Sequence, residues 1–234
     1  MSAIFKREFW AYFRTPLGYV FVSALYFFTG YYFFTFNILR NTTDTSGMFS
    51  MLFSVVLFLV PVLTMRLLSE ERRVKTDQTL LTSPVSRLRI VASKYLAALC
   101  VYTVAVSGTL VAAVVLQVYS QPDWPVVFGN FIGLLLLGAA LIAVCLFISS
   151  LTESQVIAAV GGYGASLFLV LVDALHFLVA NRLLRLLLQN MSFSGRYSGF
   201  TIGVIGFADV CFFLSIAICF LLLTVIVLER RRWS

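Results

Sequence analysis

Six apolar stretches, each of about 20 residues or more, limit what this chain can fold into. They cover residues 17–39, 48–68, 90–119, 126–151, 156–180 and 205–228. About 20 apolar residues in a helix cross the hydrocarbon core of a bilayer, and a helix satisfies its own backbone hydrogen bonds there. The sequence therefore predicts an all-α integral membrane protein with six transmembrane helices.

Composition supports a single membrane domain. Of the 234 residues, 61% are hydrophobic and 12% are charged, whereas soluble domains carry about 25% charged residues. The six spans and their connections use the whole chain, so residues 1–234 are interpreted as one transmembrane domain. No metal site is expected, because the single histidine and the scattered cysteines form no ligand cluster.

The distribution of basic residues predicts the orientation of the spans, because cytoplasmic loops carry an excess of Lys and Arg. Most of the 17 basic residues lie near the two termini or between spans two and three. The exceptions are Arg40, Arg182, Arg185 and Arg196. We expect both termini and the loop between spans two and three in the cytoplasm, with the chain in the inner membrane of a bacterium. Much of the net charge of +7 is this topological signal, so nucleic acid is not an expected partner.

The first 16 residues predict an amphipathic helix before the first span. Its aromatic face consists of Phe5, Phe9, Tyr12 and Phe13. Arg7 and Arg14 lie opposite, and Pro16 disfavours a helical conformation at the preceding residue. A helix with an aromatic face opposite a basic face is typical of one that lies in the headgroup region. The alternative is a plain cytoplasmic extension of the first span.

Residues 69–96 form the longest polar segment and carry charge of both signs. Glu70 or Glu71 can pair with Lys75 at helical spacing, so the segment can extend the second span as a solvated helix. A Leu-Leu-Thr-Ser-Pro sequence at residues 80–84 then breaks the helix, and Ser86 can cap the next one. We interpret residues 80–86 as an apolar tip that docks onto another protein. The alternative is a solvated loop in contact with anionic lipid.

Two segments resemble one transporter family. RLLSEERRVKTDQTLLTSPVSRLRIVASKYLA, residues 66–97, is similar to the segment between spans two and three of type-2 ABC exporter permeases. The branch nearest in pattern is that of the gliding-motility and nitrous-oxide-reductase-maturation permeases. The matching positions are Glu71, Arg72, Thr76, Leu80, Leu81, Ser83, Pro84, Lys94 and Tyr95.

The second segment, MSFSGRYSGFTIGVIGFADVCFFL at residues 191–214, resembles the region before the sixth span of those permeases. Its matching positions are Ser192, Phe193, Gly203, Val204, Ile205 and Asp209. Gly206 stands where many relatives carry an acidic residue, which departs from the pattern of that branch. The resemblance implies that residues 181–204 are external and partly re-enter the membrane. The alternative is a segment that lies flat on the membrane surface.

The resemblance also implies the partners. Two permease subunits, expected to be identical, would work on two copies of a separate ABC ATPase. The sequence contains no GxxxxGK[ST] phosphate loop, so ATP and Mg²⁺ are expected on the ATPase, and this chain is not expected to be an enzyme. The expected coupling interface with the ATPase comprises Glu70, Glu71, Arg72, Arg73, Lys75, Thr76, Leu80, Leu81, Thr82, Ser83, Pro84, Val85 and Ser86.

Other functions would need ionisable or catalytic groups at membrane depth. Asp173 and His176 lie one helical turn apart in the fifth span, where they would serve an ion-coupled carrier or channel. No nucleophile with an adjacent base supports an intramembrane enzyme. Candidates for contact with an external anionic headgroup or polysaccharide are Arg182, Arg185 and Arg196; phospholipid would serve them equally. The sequence does not identify the transported substrate. Membrane lipids are expected partners, and an additional membrane-anchored or external subunit is left open.

Overall fold

A computed structural model describes residues 2–74, 86–119, 121–178 and 191–230. These residues form only helices, turns and irregular connections, which confirms the all-α prediction. The helices are α1 (Ser2–Arg14), α2 (Pro16–Phe33), α3 (Ser46–Thr64), α4 (Ser69–Arg73), α5 (Arg87–Val106), α6 (Gly108–Tyr119), α7 (Trp124–Leu151), α8 (Gln155–Leu178), α9 (Phe193–Thr201) and α10 (Phe207–Arg230). A π-helical turn, Phe34–Ile38, continues α2.

The described residues contain six helical stretches long and apolar enough to cross a membrane, in the six places where the sequence predicts them. Their bounds are Pro16–Ile38, Ser46–Arg73, Arg87–Tyr119, Trp124–Leu151, Gln155–Ala174 and Phe207–Arg230. The predicted third span is one helix, but the structure divides it between α5 and α6 at Ser107. At Gly108 a Cβ atom would lie 2.6 Å from the Tyr26 ring, and the Tyr26 hydroxyl donates to the carbonyl of Val104. The break is therefore where α2 packs closely on the third span.

The fourth span, α7, is the centre of the bundle. It packs against α3, α5, α8, α9 and α10. Small residues permit this: the Tyr102 ring of α5 occupies the space where Gly138 would carry a side chain. The Tyr102 hydroxyl donates to the Leu134 carbonyl at 2.6 Å. Buried apolar side chains and shape complementarity at these contacts hold the helices in one arrangement.

The amphipathic helix α1 packs mainly against α5 and less extensively against α2. Tyr12 is buried, and Phe9 and Phe13 pack against the same apolar core. The aromatic face therefore contacts the protein itself. The sequence pattern alone cannot distinguish such a contact from contact with lipid headgroups. Thr15 is extended and Pro16 begins α2, as the proline predicts.

Candidate functional site

A buried lysine lies in α5, the helix that follows the loop between spans two and three. Lys94 of α5 is 1% exposed. Its Nζ atom lies 2.8 Å from Glu71 Oε1 and 3.2 Å from Glu8 Oε2, and it donates to the Leu67 carbonyl at 2.9 Å. An ammonium group has three hydrogens to donate, and three acceptors surround this one. A buried charge is tolerated only with such partners.

Three helices supply the charged groups: Glu8 comes from α1, Glu71 from α4 and Lys94 from α5. Arg7 completes the cluster, because its guanidinium donates to Glu8 at 2.7 Å and to Glu71 at 3.1 Å. We call these four residues the charged junction. Two cations balance two carboxylates, so the junction carries no net charge. It joins the amphipathic helix to both ends of the loop.

Tyr12 ties α1 to the end of the second span. Its buried hydroxyl donates to the Leu63 carbonyl at 3.0 Å. Burial raises the pKa of this phenol above its ordinary value, so it keeps its proton and remains a donor. Within the described residues, Tyr12 is therefore the member of the predicted aromatic face that holds α1 in place by a hydrogen bond.

The residues leading into the loop are tied to the link between α7 and α8. The Ser149 hydroxyl of α7 accepts hydrogen bonds from the backbone N–H groups of Leu68 and Ser69 at 3.3 and 3.2 Å, which caps α4. Arg72 donates to Glu153 at 3.0 Å. The start of the loop is therefore attached to the end of the fourth span and to the residues that follow it.

The residues leading out of the loop are tied to the last span. Ser86 precedes α5 as its N-terminal flanking residue, but its side chain makes no capping hydrogen bond, so the predicted cap is wrong. Arg87, the first residue of that helix, forms an ion pair with Glu229 near the end of α10. Arg87 therefore connects the end of the loop to another helix of the same chain.

The sequence predicts that the second span continues as one solvated helix, but the structure shows no continuous helix between residues 64 and 74. The helix of span two ends at Thr64, and the chain turns before α4 begins. Glu70 pairs with Arg66 of the preceding turn, and Glu71 pairs with Lys94 and Arg7. Packing of α4 against α1 and α5 thus gives Glu71 two partners from other helices, and Lys75 lies outside the described residues.

The predicted coupling residues divide into two sets. Described residues are Glu70, Glu71, Arg72, Arg73 and Ser86. Outside the described residues lie Lys75, Thr76, Leu80, Leu81, Thr82, Ser83, Pro84 and Val85. The structure therefore gives the base of the predicted docking segment and its attachments, and the tip remains a prediction from the sequence.

Glu8 is the functional residue that the sequence interpretation missed. It is the only acidic residue among the first 40, and it lies at helical spacing from Phe5 and Tyr12, beside the aromatic face. A lone carboxylate beside an apolar face was the available signal. Its buried partner, Lys94, lies 86 residues further along the chain and leaves no trace in the local pattern.

At the opposite end of the bundle, Asp173 contacts the helix before the last span. Its Oδ2 atom accepts from the backbone N–H of Ser194 at 3.2 Å, and the Ser192 hydroxyl accepts from Gly195 at 2.8 Å. Both interactions satisfy orphan donors in the first turn of α9. The side chain of His176, the other residue of the alternative ion site, lies outside the described residues.

Arg196, one of the predicted external anion contacts, interacts within the chain. Its guanidinium donates to Asp209 at 2.9 Å and lies 4.8 Å from the centre of the Phe212 ring. Asp209 belongs to the first turn of α10, where a carboxylate also interacts favourably with the helix dipole. Arg182 and Arg185 lie outside the described residues.

Comparison with known proteins identifies a family across most of the chain. A family model described as "ABC-2 family transporter protein" matches residues 15–224. A search of curated proteins returns no match. The matched range contains α2 to α9 and most of α10, and it includes Glu71 and Lys94 of the charged junction.

Proposed function

The chain belongs to the ABC-2 transporter family, and from that premise we propose that it couples ATP hydrolysis on a separate ATPase to export across the membrane. Membership makes the chain a membrane permease component of an ABC transporter, with an ABC ATPase as its partner. The proposal adds the direction of transport, two identical permease subunits, two ATPase copies, and docking of the ATPase on residues 80–86. The branch of gliding-motility and nitrous-oxide-reductase-maturation permeases belongs to the proposal as well.

The charged junction is the observation that carries the coupling role. Separating a buried ammonium from its carboxylates leaves uncompensated charge, which costs about 3–5 kcal/mol. The junction therefore holds α1, α4 and α5 together as one rigid unit. A force applied to the loop between α4 and α5 therefore moves the three helices together and does not displace α4 and α5 relative to each other.

Exposed ion pairs connect the rigid unit to the rest of the bundle. The Glu153 and Glu229 side chains, partners of Arg72 and Arg87, are 67% and 57% exposed. Exposed pairs contribute about 0–1 kcal/mol, so they can break and re-form as helices shift. The charged junction keeps α1, α4 and α5 fixed to one another, and the two ion pairs can exchange. This combination suits a unit that transmits movement to spans four, five and six.

We extend the proposal to the external segment, residues 181–204. Phe193, Tyr197 and Phe200 of α9 are buried and pack beside α7, where a Cβ atom on Gly133 would meet the Phe200 side chain at 2.8 Å. Gly133 lies nine residues along α7, about 13 Å from its first residue at 1.5 Å per residue. A helix packed at that depth supports partial re-entry into the membrane.

The ion-coupled carrier is not favoured by the contacts of Asp173. Its carboxylate caps α9, which is a structural use of the charge. Proton or ion relays in membranes are instead expected to line a cavity or to form a chain of ionisable groups. Transport powered by a partner ATPase is therefore the function we propose.

The proposed orientation predicts which positions react with membrane-impermeant thiol reagents. In a variant without the four native cysteines, single cysteines replacing Asp44 and Asp123 should label from outside intact cells. Cysteines replacing Lys75, Glu153 and Trp233 should label only after the membrane is opened. External labelling at position 75 would place the loop on the wrong side for a cytoplasmic ATPase.

The pair of Arg87 and Glu229 provides a test of transmission. Arg87→Glu places two carboxylates together, so ATPase binding should persist while permease-dependent stimulation of ATP hydrolysis falls about fivefold, the lower end of typical coupling. The charge swap Arg87→Glu/Glu229→Arg should restore stimulation in proteoliposomes. Equal stimulation in wild type and Arg87→Glu, or no recovery in the charge swap, would contradict this role.

A further inference from the structure

The second span is interrupted at residues 65–68, between α3 and α4. Helix α3 ends at Thr64, and the four residues that follow form turns. Residues 62–73 contain no glycine or proline. The N–H group of Met65 still donates to the Pro61 carbonyl at 3.0 Å, so the helix stays regular beyond its proline. The local sequence therefore does not explain the interruption, and a side chain inserted among the backbone hydrogen bonds is the remaining ordinary cause.

Ser149 of α7 is that side chain. Its buried hydroxyl accepts from the backbone N–H groups of Leu68 and Ser69 at 3.3 and 3.2 Å, and it donates to the Met65 carbonyl at 3.3 Å. In an uninterrupted helix the same two N–H groups would donate to the carbonyls of Thr64 and Met65, four residues earlier. The hydroxyl therefore replaces two helical hydrogen bonds.

Two other side chains contact the interruption without competing with a helix. Tyr12 donates to the Leu63 carbonyl, and Lys94 donates to the Leu67 carbonyl. A carbonyl oxygen has two lone pairs, so it can accept from a side chain and from a helical N–H group together. An N–H group has a single hydrogen, so the two groups on the Ser149 hydroxyl bond either to it or to the helix. Ser149 is thus the contact that excludes a continuous second span.

We propose that residues 65–68 are a hinge of the second span and that Ser149 is its positioning residue. In the closed state, which the structure shows, the hydroxyl holds α4 against the end of the fourth span. In the open state α4 separates from Ser149 and continues α3 as one helix. Two N–H bonds are exchanged for two others, and the freed hydroxyl can donate to a carbonyl of its own helix. Exchanged hydrogen bonds nearly cancel in free energy, so both states are accessible.

This inference rests on the proposed coupling function, because it names where movement of the loop enters the bundle. The charged junction fixes α4 to α1 and α5, whereas Ser149 belongs to α7, outside that unit. Opening the hinge lets the unit move relative to the fourth span while its charges stay paired. A static cap would instead keep α4 and α7 together throughout the transport cycle.

Spin labels on either side of the contact measure the two states. Cysteines replacing Val74 and Leu151, both exposed, carry nitroxides beside α4 and at the end of α7 in a variant without the four native cysteines. Electron paramagnetic resonance gives the distance between the labels, which should be a single short one with Ser149 present. Ser149→Ala removes the acceptor of two hydrogen bonds. The ratio of open to closed molecules should therefore rise about 25-fold, fivefold for each bond, and a second, longer distance should appear.

Ser166→Ala is the matched control. It also removes a buried serine hydroxyl from a membrane span, but that hydroxyl has no hydrogen-bond partner among the described residues. The control should give the wild-type distance. A single unchanged distance in Ser149→Ala, or the same change in both variants, would overturn the hinge, because loss of a static cap loosens α4 without producing a second state.

Addition of the ATPase separates the hinge from the function on which it rests. With the ATPase bound to the wild type, ATP should populate the same longer distance that Ser149→Ala shows. If no ATPase binds, the proposed function fails, and the distances in Ser149→Ala and Ser166→Ala still decide whether the hinge exists. Binding and hydrolysis of ATP without any change in distance would overturn the hinge as the coupling element.

Discussion

Replacing Lys94 by methionine is expected to lower the free energy of unfolding by about 3 kcal/mol. The substitution keeps the apolar stem but leaves Glu8 and Glu71 facing each other without their shared cation. We place the effect at the lower end of the range for broken buried pairs, because Arg7 still contacts both carboxylates. The measurement is the unfolding transition of the purified protein during titration of a mild detergent with a denaturing one.

Two variants distinguish loss of charge balance from loss of a long side chain. Lys6→Met removes an exposed lysine from α1 and should change stability by no more than about 0.5 kcal/mol. The triple variant Glu8→Gln/Glu71→Gln/Lys94→Met has no buried charge and should recover much of the loss, since neutral replacements of buried ion networks are often tolerated. If Lys94→Met is as stable as Lys6→Met, the junction does not hold the three helices together.

The spans and the amphipathic helix are predictable from sequence because both depend on local patterns. Apolar length determines which segments can cross a bilayer, and the 3.6-residue period places Phe9, Tyr12 and Phe13 on one face. The conformational break at Thr15 follows from the proline after it. Each of these features depends on residues within one continuous stretch of the chain.

The charged junction is not predictable in this way, because its partners are distant in the chain. Local spacing offers Glu71 only residue 75, whereas packing of α1 and α5 against α4 brings Lys94 and Arg7 to it. The break at Ser107 has a similar cause, since the ring that approaches Gly108 belongs to Tyr26 on another helix. Choice of partner depends on how the helices pack, and helical periodicity carries no information about that.

Arg196, which the sequence predicts to be external, shows the same limitation. A count of charges places Arg196 on the far side from most basic residues, which suggests an anionic ligand. In the folded chain α9 and α10 are consecutive helices, and their connection brings Asp209 within 2.9 Å of the guanidinium. Asp209, 13 residues later in the sequence, therefore pairs with Arg196, and the charge count alone does not reveal this partner.

The second large effect concerns the tip of the loop between α4 and α5. Replacing Leu80 and Leu81 together by aspartate should weaken ATPase binding by several kcal/mol, on the order of 100-fold or more. Apolar anchors at the centre of an interface usually carry most of its binding energy, and two carboxylates would have to enter a contact without water. The junction and the exposed ion pairs lie outside the substituted residues, so insertion of the permease should be unaffected.

A matched control places the same two charges just outside the tip. Val74 and Leu88 flank the loop and are 63% and 56% exposed, so Val74→Asp/Leu88→Asp adds equal charge without entering the proposed contact. Its binding should stay close to that of wild type, since rim charges mainly influence association rate and salt dependence.

The most direct measurement is the amount of ATPase that co-purifies with each tagged permease variant, after size-exclusion chromatography shows that the variants insert and assemble alike. Wild type and Val74→Asp/Leu88→Asp should retain the ATPase, and Leu80→Asp/Leu81→Asp should lose it. Retention of the ATPase by Leu80→Asp/Leu81→Asp, with full ATP-driven activity, would show that the loop is not the contact and would contradict the account.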